Sequence, residues 1–314
     1  MVAFGFVTNE NLEYEVVKEA WLECERLGFD SAVLSDHFMR GGYYPECWTT
    51  LSALSSLTRS LRFGPMVLCN SYRHPPIVAA MSATLDVISG GRLELGMGAG
   101  WLESEYVAYG IPFPRTVVRI EQLKEAVRII KKMWTEDSTT YEGKYYSVKD
   151  ALVDPKPIQK PHPRIWIGGY GEKFLLKAVA EVADGYILRK GATPDEYSHK
   201  MNVLQQHCKT VGTNFDKIRK AWVGNVFVGK NKREVMKKIR DYKSTFRPDE
   251  VGKSFEHFIE ESIVGTPEEC IEKIYKYLDA GVADFLTRFE REELKDFKSL
   301  QLFSESVISA FKGE

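Results

Sequence analysis

The chain of 314 residues has no surplus of charge, since 43 Lys and Arg stand against 44 Asp and Glu for a formal net charge of −1. A near-neutral balance excludes the one-signed surface of a nucleic-acid binder or a polybasic membrane face. Cysteine is scarce: Cys24, Cys47, Cys69, Cys208 and Cys270 are odd in number and form no CxxC pair. That argues against a disulfide framework and a zinc centre, and makes a reducing cytoplasm the expectation. No apolar run reaches membrane-spanning length. The opening Met1 to Val7 lacks a signal peptide's basic start and runs into acidic sequence at Glu10 and Glu13. There is no low-complexity segment, no break in composition and no GxGxxG after the first strand.

What is present is the composition of a soluble enzyme with a large core, 44% hydrophobic and 28% charged. Short apolar runs alternate with longer helical patterns along the whole chain. The runs are Phe4–Val7, Ser31–Leu34, Leu61–Leu68, Arg92–Met97, Arg164–Ile167, Asp184–Leu188, Ala221–Val228 and Asp284–Phe289. Eight such strand-then-helix units predict a single (β/α)8 TIM barrel over residues 1–314, with an open doubly wound sheet as the competitor. Two segments break the pattern and read as insertions. One lies around 141–163, where Tyr141 to Tyr146 forms a hairpin outside the main sheet; the other is the highly charged stretch around 231–262.

In a barrel, chemistry belongs just past the carboxyl ends of the strands. Four places qualify. Asp36-His37 follows the second strand and pairs a near-neutral titrating ring with a carboxylate, although an aspartate cap beside a satisfied histidine would look the same. No second histidine stands at metal spacing, so no metal is expected. Gly64-Pro65-Met66-Val67 interrupts the third strand, because proline removes a ladder donor; a bulge or a mere edge irregularity would result.

After the fourth strand, Gly96, Gly98 and Gly100 leave alternate residues bare before Trp101 and Glu105. A flat ligand could lie there, or the stretch could be only a tight strand-to-helix connection. After the fifth strand, Gly168-Gly169-Tyr170-Gly171 precedes a helix expected to start near Glu172, whose free amides and dipole suit a phosphate; a plain glycine loop is the alternative. Arg189-Lys190 after the sixth strand offers cations to the same anion, or is solvated surface. Together these places suggest a large flat cofactor with a phosphate, its ring over the second to fourth strands.

These residues resemble the luciferase-like monooxygenase superfamily, and within it the branch that depends on the deazaflavin coenzyme F420. The resembling segments include Ser35-Asp36-His37-Phe38, Arg73-His74-Pro75, Ser89 through Trp101 with Glu105, Ile167-Gly168-Gly169, Ala183-Asp184-Gly185-Tyr186 and Gly265-Thr266-Pro267-Glu268-Glu269. The resemblance implies a (β/α)8 barrel, usually a homodimer, that binds F420 or FMN at the strand carboxyl ends and acts as an oxidoreductase on a small organic molecule. It implies a non-proline cis peptide at Met66–Val67 behind the ring, with Cys69 and Asn70 at its border. Gly98, Ala99, Gly100 and Trp101 would contact the ring. Gly168, Gly169, Tyr170, Gly171, Glu172 and Arg189 would receive the phosphate. His37, oriented by Asp36, would move the proton, and the charged insertion would form a lid with Tyr43, Tyr44 and Trp101. Two features depart from the F420-dependent sugar-phosphate and alcohol dehydrogenases. Arg40-Gly41-Gly42-Tyr43 stands where they place a tryptophan, and Trp101 where they place a catalytic glutamate. An FMN-dependent monooxygenase on the same barrel, or a non-catalytic flavin-binding relative, are the alternatives.

Overall fold

A computed structural model describes residues 2–9, 11–39, 45–188, 191–246 and 252–312. Its strands are β1 (Ala3–Val7), β2 (Ser31–Leu34), β3 (Arg62–Pro65), β4 (Leu68–Cys69), β5 (Leu95–Gly98), β6 (Thr139–Glu142), β7 (Ser147–Ala151), β8 (Ile165–Gly169), β9 (Gly185–Leu188), β10 (Arg219–Val228), β11 (Ile263–Gly265) and β12 (Asp284–Arg288). The main sheet runs β3-β2-β1-β12-β10-β9-β8-β5-β4, with every pairing parallel. A parallel bridge from Phe63 to Leu93 joins the two ends. With β3 and β4 as halves of one interrupted strand and β11 as an extra pairing on β10, this is the (β/α)8 barrel.

Alternation along the strands divides the apolar residues into two layers. Val7, Val33, Trp166, Ile187, Ala221, Val223 and Leu286 fill the barrel, with Met66 and Val67 packed against them. Phe4, Phe6, Phe63, Tyr186 and Trp222 point outward into the larger core beneath the helices. Those helices are α1 (Tyr14–Arg26), α2 (Cys47–Leu57), α3 (Pro75–Ile88), α4 (Glu103–Ala108), α5 (Thr116–Thr135), α6 (Leu175–Val182), α7 (Pro194–Val211) and α8 (Lys232–Thr245), followed by shorter ones and Pro267–Asp279. None of the described helices is long and apolar enough to cross a membrane.

The third strand is interrupted where Gly64-Pro65 suggested. β3 ends at Pro65, β4 begins at Leu68, and the Met66–Val67 peptide between them is cis. The 141–151 segment is the expected antiparallel hairpin, β6 with β7. It is fastened to α5 by Glu125, whose carboxylate accepts the amides of Lys144 (2.9 Å), Tyr145 (2.9 Å) and Tyr146 (3.2 Å). The charged insertion begins with α8 and continues to the short helix Phe255–Glu260. β11 then pairs with the upper end of β10 through Val226, Phe227 and Val228. Phe246 and Phe258 close on Phe227 there as a small satellite core.

The amino-terminal floor of the barrel is an ion network. Glu94 takes Arg62 Nε at 2.7 Å, Arg164 Nη1 at 3.1 Å and the Trp166 indole N–H at 2.7 Å. Gly64 lies beside the closing bridge, where a Cβ would stand 1.8 Å from the carbonyl oxygen of Glu94. Only glycine lets the two strands meet at that distance. Gly64→Ala is expected to destabilise the fold by about 2–4 kcal/mol through this overpacking, read as a lowered thermal midpoint.

Candidate active site at the barrel mouth

The centre of the mouth is Glu105, in the first turn of α4 and fully buried. One oxygen accepts the backbone amides of Phe38 (2.8 Å) and Met39 (2.9 Å), fixing the loop after β2. The other receives the Tyr72 hydroxyl at 2.7 Å and lies 2.9 Å from His37 Nδ1. Burial alone would raise this carboxyl. The donors from Met39, His37 and Tyr72 outweigh burial and hold it below the ordinary carboxylate range. An anionic Glu105 can only accept, so His37 presents its Nδ1–H to it.

Aromatic side chains frame this pair. The Trp101 ring stands edge-on to His37 at 5.9 Å and 53% exposed. Phe38 stacks on Tyr109 at 4.4 Å and tilts against Tyr72 at 4.7 Å. Burial, and after it the bond to Glu105, raise the Tyr72 hydroxyl far above its ordinary value, so it stays a proton donor to the carboxylate.

Asp36 has a different role from the one expected of it. Its carboxylate is gripped by both Nη atoms of Arg73, at 2.9 and 3.0 Å, and accepts the Cys69 amide at 2.8 Å. Arg73 also bonds Glu46, the capping residue of α2. A buried fork-to-carboxylate pair of this kind fixes geometry, here the ends of β2 and β4 and the start of α2. The carboxylate that orients His37 is Glu105, 68 residues away in sequence.

The glycines also serve the chain itself. A Cβ on Gly98 or Gly168 would meet the Val67 side chain at 2.6 or 2.8 Å, and one on Gly100 would meet the Tyr106 hydroxyl at 1.9 Å. The space expected for a flat ligand on bare glycine is therefore filled by Val67 and Tyr106. A ring at the mouth would rest on the Met66–Val67 bulge instead. Cys69 lies within hydrogen-bonding distance of the Tyr106 hydroxyl (3.1 Å), and burial pushes its thiol up to about 11. Asn70 is buried and donates to the Tyr146 hydroxyl at 3.1 Å, turned toward the hairpin. Ala99 is held through its carbonyl, which accepts from Tyr106 at 3.4 Å.

On the far side of the mouth, β8 ends at Gly169 and a turn leads into α6. That helix begins at Leu175 rather than at Glu172. Three successive carbonyls of this turn have partners. Gly169 accepts from the Tyr186 hydroxyl (2.9 Å), Tyr170 from Lys200 Nζ (3.1 Å) and Gly171 from the Leu176 amide (3.1 Å). Glu172 is committed to Lys200 (2.6 Å) and lies 3.1 Å from His199 Nε2. Lys200, foremost, and His199 after it hold its carboxyl below the ordinary range. Arg189, Lys190, Tyr43 and Tyr44 lie outside the described residues. The insertion is tied to the loop after β9 through Glu261, whose carboxylate would collide with a Cβ on Gly191 and binds Lys253 Nζ at 2.6 and 2.8 Å. Glu196 and His257 lie close enough for Glu196, His257 and Glu261 to present their ligating atoms within 4.8 Å of one another.

Sequence reasoning missed Tyr72, Arg73 as the partner of Asp36, and Lys200. It noted Glu105 without giving it a role. The signal for Glu105 was an acidic residue one helical turn beyond a glycine bend that already carried a tryptophan. Because Glu105 is depressed in the folded state, its contribution is complete above the ordinary carboxylate pKa. It disappears as pH falls through the lower folded value. Glu105→Gln should therefore cost about 1–3 kcal/mol at pH 7, with the gap to the parent closing as pH drops below about 4 in denaturant titrations.

Residues 4–284 match the family described as luciferase-like monooxygenase. A protein of Microbacterium testaceum named F420-dependent glucose-6-phosphate dehydrogenase is 30% identical over 96% of this chain and 93% of its own length. A Nakamurella multipartita protein of the same name is 28% identical over 99% and 97%. Among solved structures, the coenzyme F420-dependent tetrahydromethanopterin reductase of Methanopyrus kandleri superposes with a TM-score of 0.81 at 24% identity, covering 99% of both chains. An F420-dependent secondary alcohol dehydrogenase gives 0.83 at 20%, covering 98% of both. With its family match spanning the barrel and its relatives aligned nearly end to end, the chain belongs to the luciferase-like monooxygenase family.

Proposed function

We propose that this protein is an F420-dependent oxidoreductase that moves a hydride between the deazaflavin and a small organic substrate. The observation that carries the reading is the His37–Glu105–Tyr72 assembly at the barrel mouth, together with the chain's similarity to proteins named as F420-dependent dehydrogenases. The residues fit a ring with a phosphate tail. Met66 and Val67 form an apolar rest, Trp101 and His37 an edge, and the Gly168–Gly171 turn has its carbonyls occupied by the protein. Bound there, F420 supplies or takes up the hydride.

His37 supplies the other half of the chemistry. Its Nε2 takes a proton from a substrate hydroxyl or returns one to a carbonyl oxygen, and the anionic Glu105 behind it stabilises the charged ring. Among the described residues, Trp101 lies beside the His37 ring and offers an apolar flank to a substrate next to its reacting oxygen. The charged insertion, whose Glu261 packs against Gly191 in the loop after β9, is proposed as the lid of this pocket.

The protein is further proposed to work in the cytoplasm as a homodimer. Trp48, Met81, Leu85 and Ile88 line an open groove of about 350 Å³ between α2 and α3, and Ile77 and Ile88 on α3 are 55% and 60% exposed. A second copy covering this face would bury that surface. Ile88→Asp should shift the mass measured by light scattering from dimer to monomer; a parent that is already monomeric removes the proposal.

Parallel calorimetric titration of the apoprotein with F420 and FMN tests the cofactor. F420 should bind, and its absorbance should bleach with a hydride-donating substrate and without oxygen uptake. Productive oxygen consumption with FMN would establish the monooxygenase reading instead. His37→Ala should keep cofactor binding while losing turnover by about 100-fold or more, and unchanged turnover would remove His37 from the chemistry.

A further inference from the structure

We infer that Asn9 and Asn225 form a polar subsite across the mouth from the Met66–Val67 bulge. It takes a substrate that carries a second hydrogen-bond donor, a hydroxyl or an N–H, beyond its reacting oxygen. This deepens the proposed function and rests on it for the side of the mouth that the cofactor leaves to the substrate.

The two side chains face the same space by strand alternation. On β10, Ala221 and Val223 fill the barrel while Trp222 and Val226 pack outward, so Asn225 continues the inward row above Val223. After β1, Val7 faces inward and the Thr8 hydroxyl accepts the indole N–H of Trp21 on α1, which returns Asn9 to the inner face. β12 lies between β1 and β10, and the residues that follow it hold both amides. Asn9 Nδ2 donates to the Phe289 carbonyl at 2.6 Å, and Asn225 Nδ2 donates to the Glu290 carboxylate at 2.6 Å.

A carbonyl and a carboxylate can only accept, and that fixes which end of each amide is which. The N–H groups are taken up at the exit of β12, and the two Oδ1 atoms are turned away from it. Both oxygens are buried, and among the described residues neither has a donor. Asn225 as a whole is 1% exposed. Buried acceptors are nearly always paired, so two orphans at one corner of a binding mouth call for a donor from outside the chain. The charges beside them are one of each sign, Arg288 opposite Asn225 in the strand register and Glu290 after it. The corner therefore does not select an ion, and selection falls to the oxygens.

The place of this corner assigns it to the substrate. Around the closed sheet, β10 lies four strands from the interrupted third strand in either direction, so a ring resting on Met66–Val67 is on the opposite wall. β1 pairs with β2, whose loop carries His37. With neighbouring strands about 4.8 Å apart, the second donor sits roughly 5–10 Å from the histidine's side of the mouth. β11 pairs with Val226, Phe227 and Val228, the residues just after Asn225. The insertion is thus rooted at this corner, and its movement admits the substrate to the two oxygens.

The test uses a series built on 2-pentanol: 1,4-pentanediol, which adds a terminal hydroxyl, and 5-methoxy-2-pentanol, which keeps that oxygen but cannot donate. Dissociation constants are measured by saturation-transfer NMR, which needs no turnover, on protein saturated with F420 and again without cofactor. The parent should bind the diol about tenfold more tightly than the ether, as a donor to an unpaired buried acceptor requires. Asn225→Leu should bring that preference to within about twofold, and Asn9→Leu should cut it about threefold, with thermal melting showing each variant folded. Equal affinities for diol and ether in the parent would leave the oxygens to water and overturn the inference. A preference that survives both substitutions, or no binding of any member of the series, would overturn it as well. A parent that does not take up F420 but still prefers the diol sinks the F420 reading and keeps this one. A parent that binds F420 and shows no preference does the reverse.

Discussion

One carboxylate with no exposure to solvent carries the arrangement of the mouth. Burying Glu105 as an anion is unfavourable unless its oxygens are filled with donors, and the fold fills them from three directions: two amides from the loop after β2, a hydroxyl from the turn after β4, and the imidazole it is there to hold. Each donor is thereby fixed in turn. The loop carrying His37 cannot drift, because its own backbone is bonded to the group that orients its side chain. This closed set of dependencies is what keeps a histidine in one tautomer and one direction at the end of a short strand.

The barrel separates this work from its own cohesion. At the amino-terminal floor, Glu94 joins Arg62, Arg164 and Trp166 from neighbouring strands, and Arg219 meets Asp284 across β10 and β12 at 2.5 Å. At the carboxyl end the same sheet relaxes into a bulge, glycine turns and loops. Binding groups can be placed there because the strands that present them are closed and pinned below. The interrupted third strand is the visible seam. Its lower half closes the barrel through Phe63 and Leu93, and its upper half, β4, pairs with β5 and sends the Cys69 amide to Asp36.

The fold was legible in the sequence because it is written in local periodicity. Eight apolar runs, each followed by an amphipathic stretch, need no knowledge of distant contacts, and Gly64-Pro65 marked the interrupted strand by removing a ladder donor. The site was legible only in part. Asp36 and His37 are adjacent, so pairing them was the natural reading. Successive residues beyond a strand end diverge, however, and each found a partner far along the chain: Arg73 for Asp36, Glu105 for His37. Gly98 reads in the sequence as room for a flat ligand. A missing side chain says only that something comes close, and what comes close is Val67. Lys200 sits in the middle of an ordinary helical pattern, where nothing local distinguishes a buried anchoring lysine from a solvated one.

The position of charge around His37 bears on what the pocket accepts. Glu105 lies behind the ring, and the aromatic edge of Trp101 lies beside it. A carboxylate in front of the imidazole would compete with substrate for its proton and would favour ligands rich in hydroxyls that can bond it. A carboxylate behind stabilises the imidazolium without touching the substrate at all. Among the described residues, the imidazole has the Trp101 ring beside it. A sugar phosphate would need hydrogen-bond partners for each of its hydroxyls, because a buried hydroxyl left unpaired costs about 1–3 kcal/mol. The tryptophan edge beside His37 cannot accept those bonds along its ring carbons. On this side His37 is flanked by ring carbons, and the relatives named for glucose 6-phosphate are similar to this chain in family and fold.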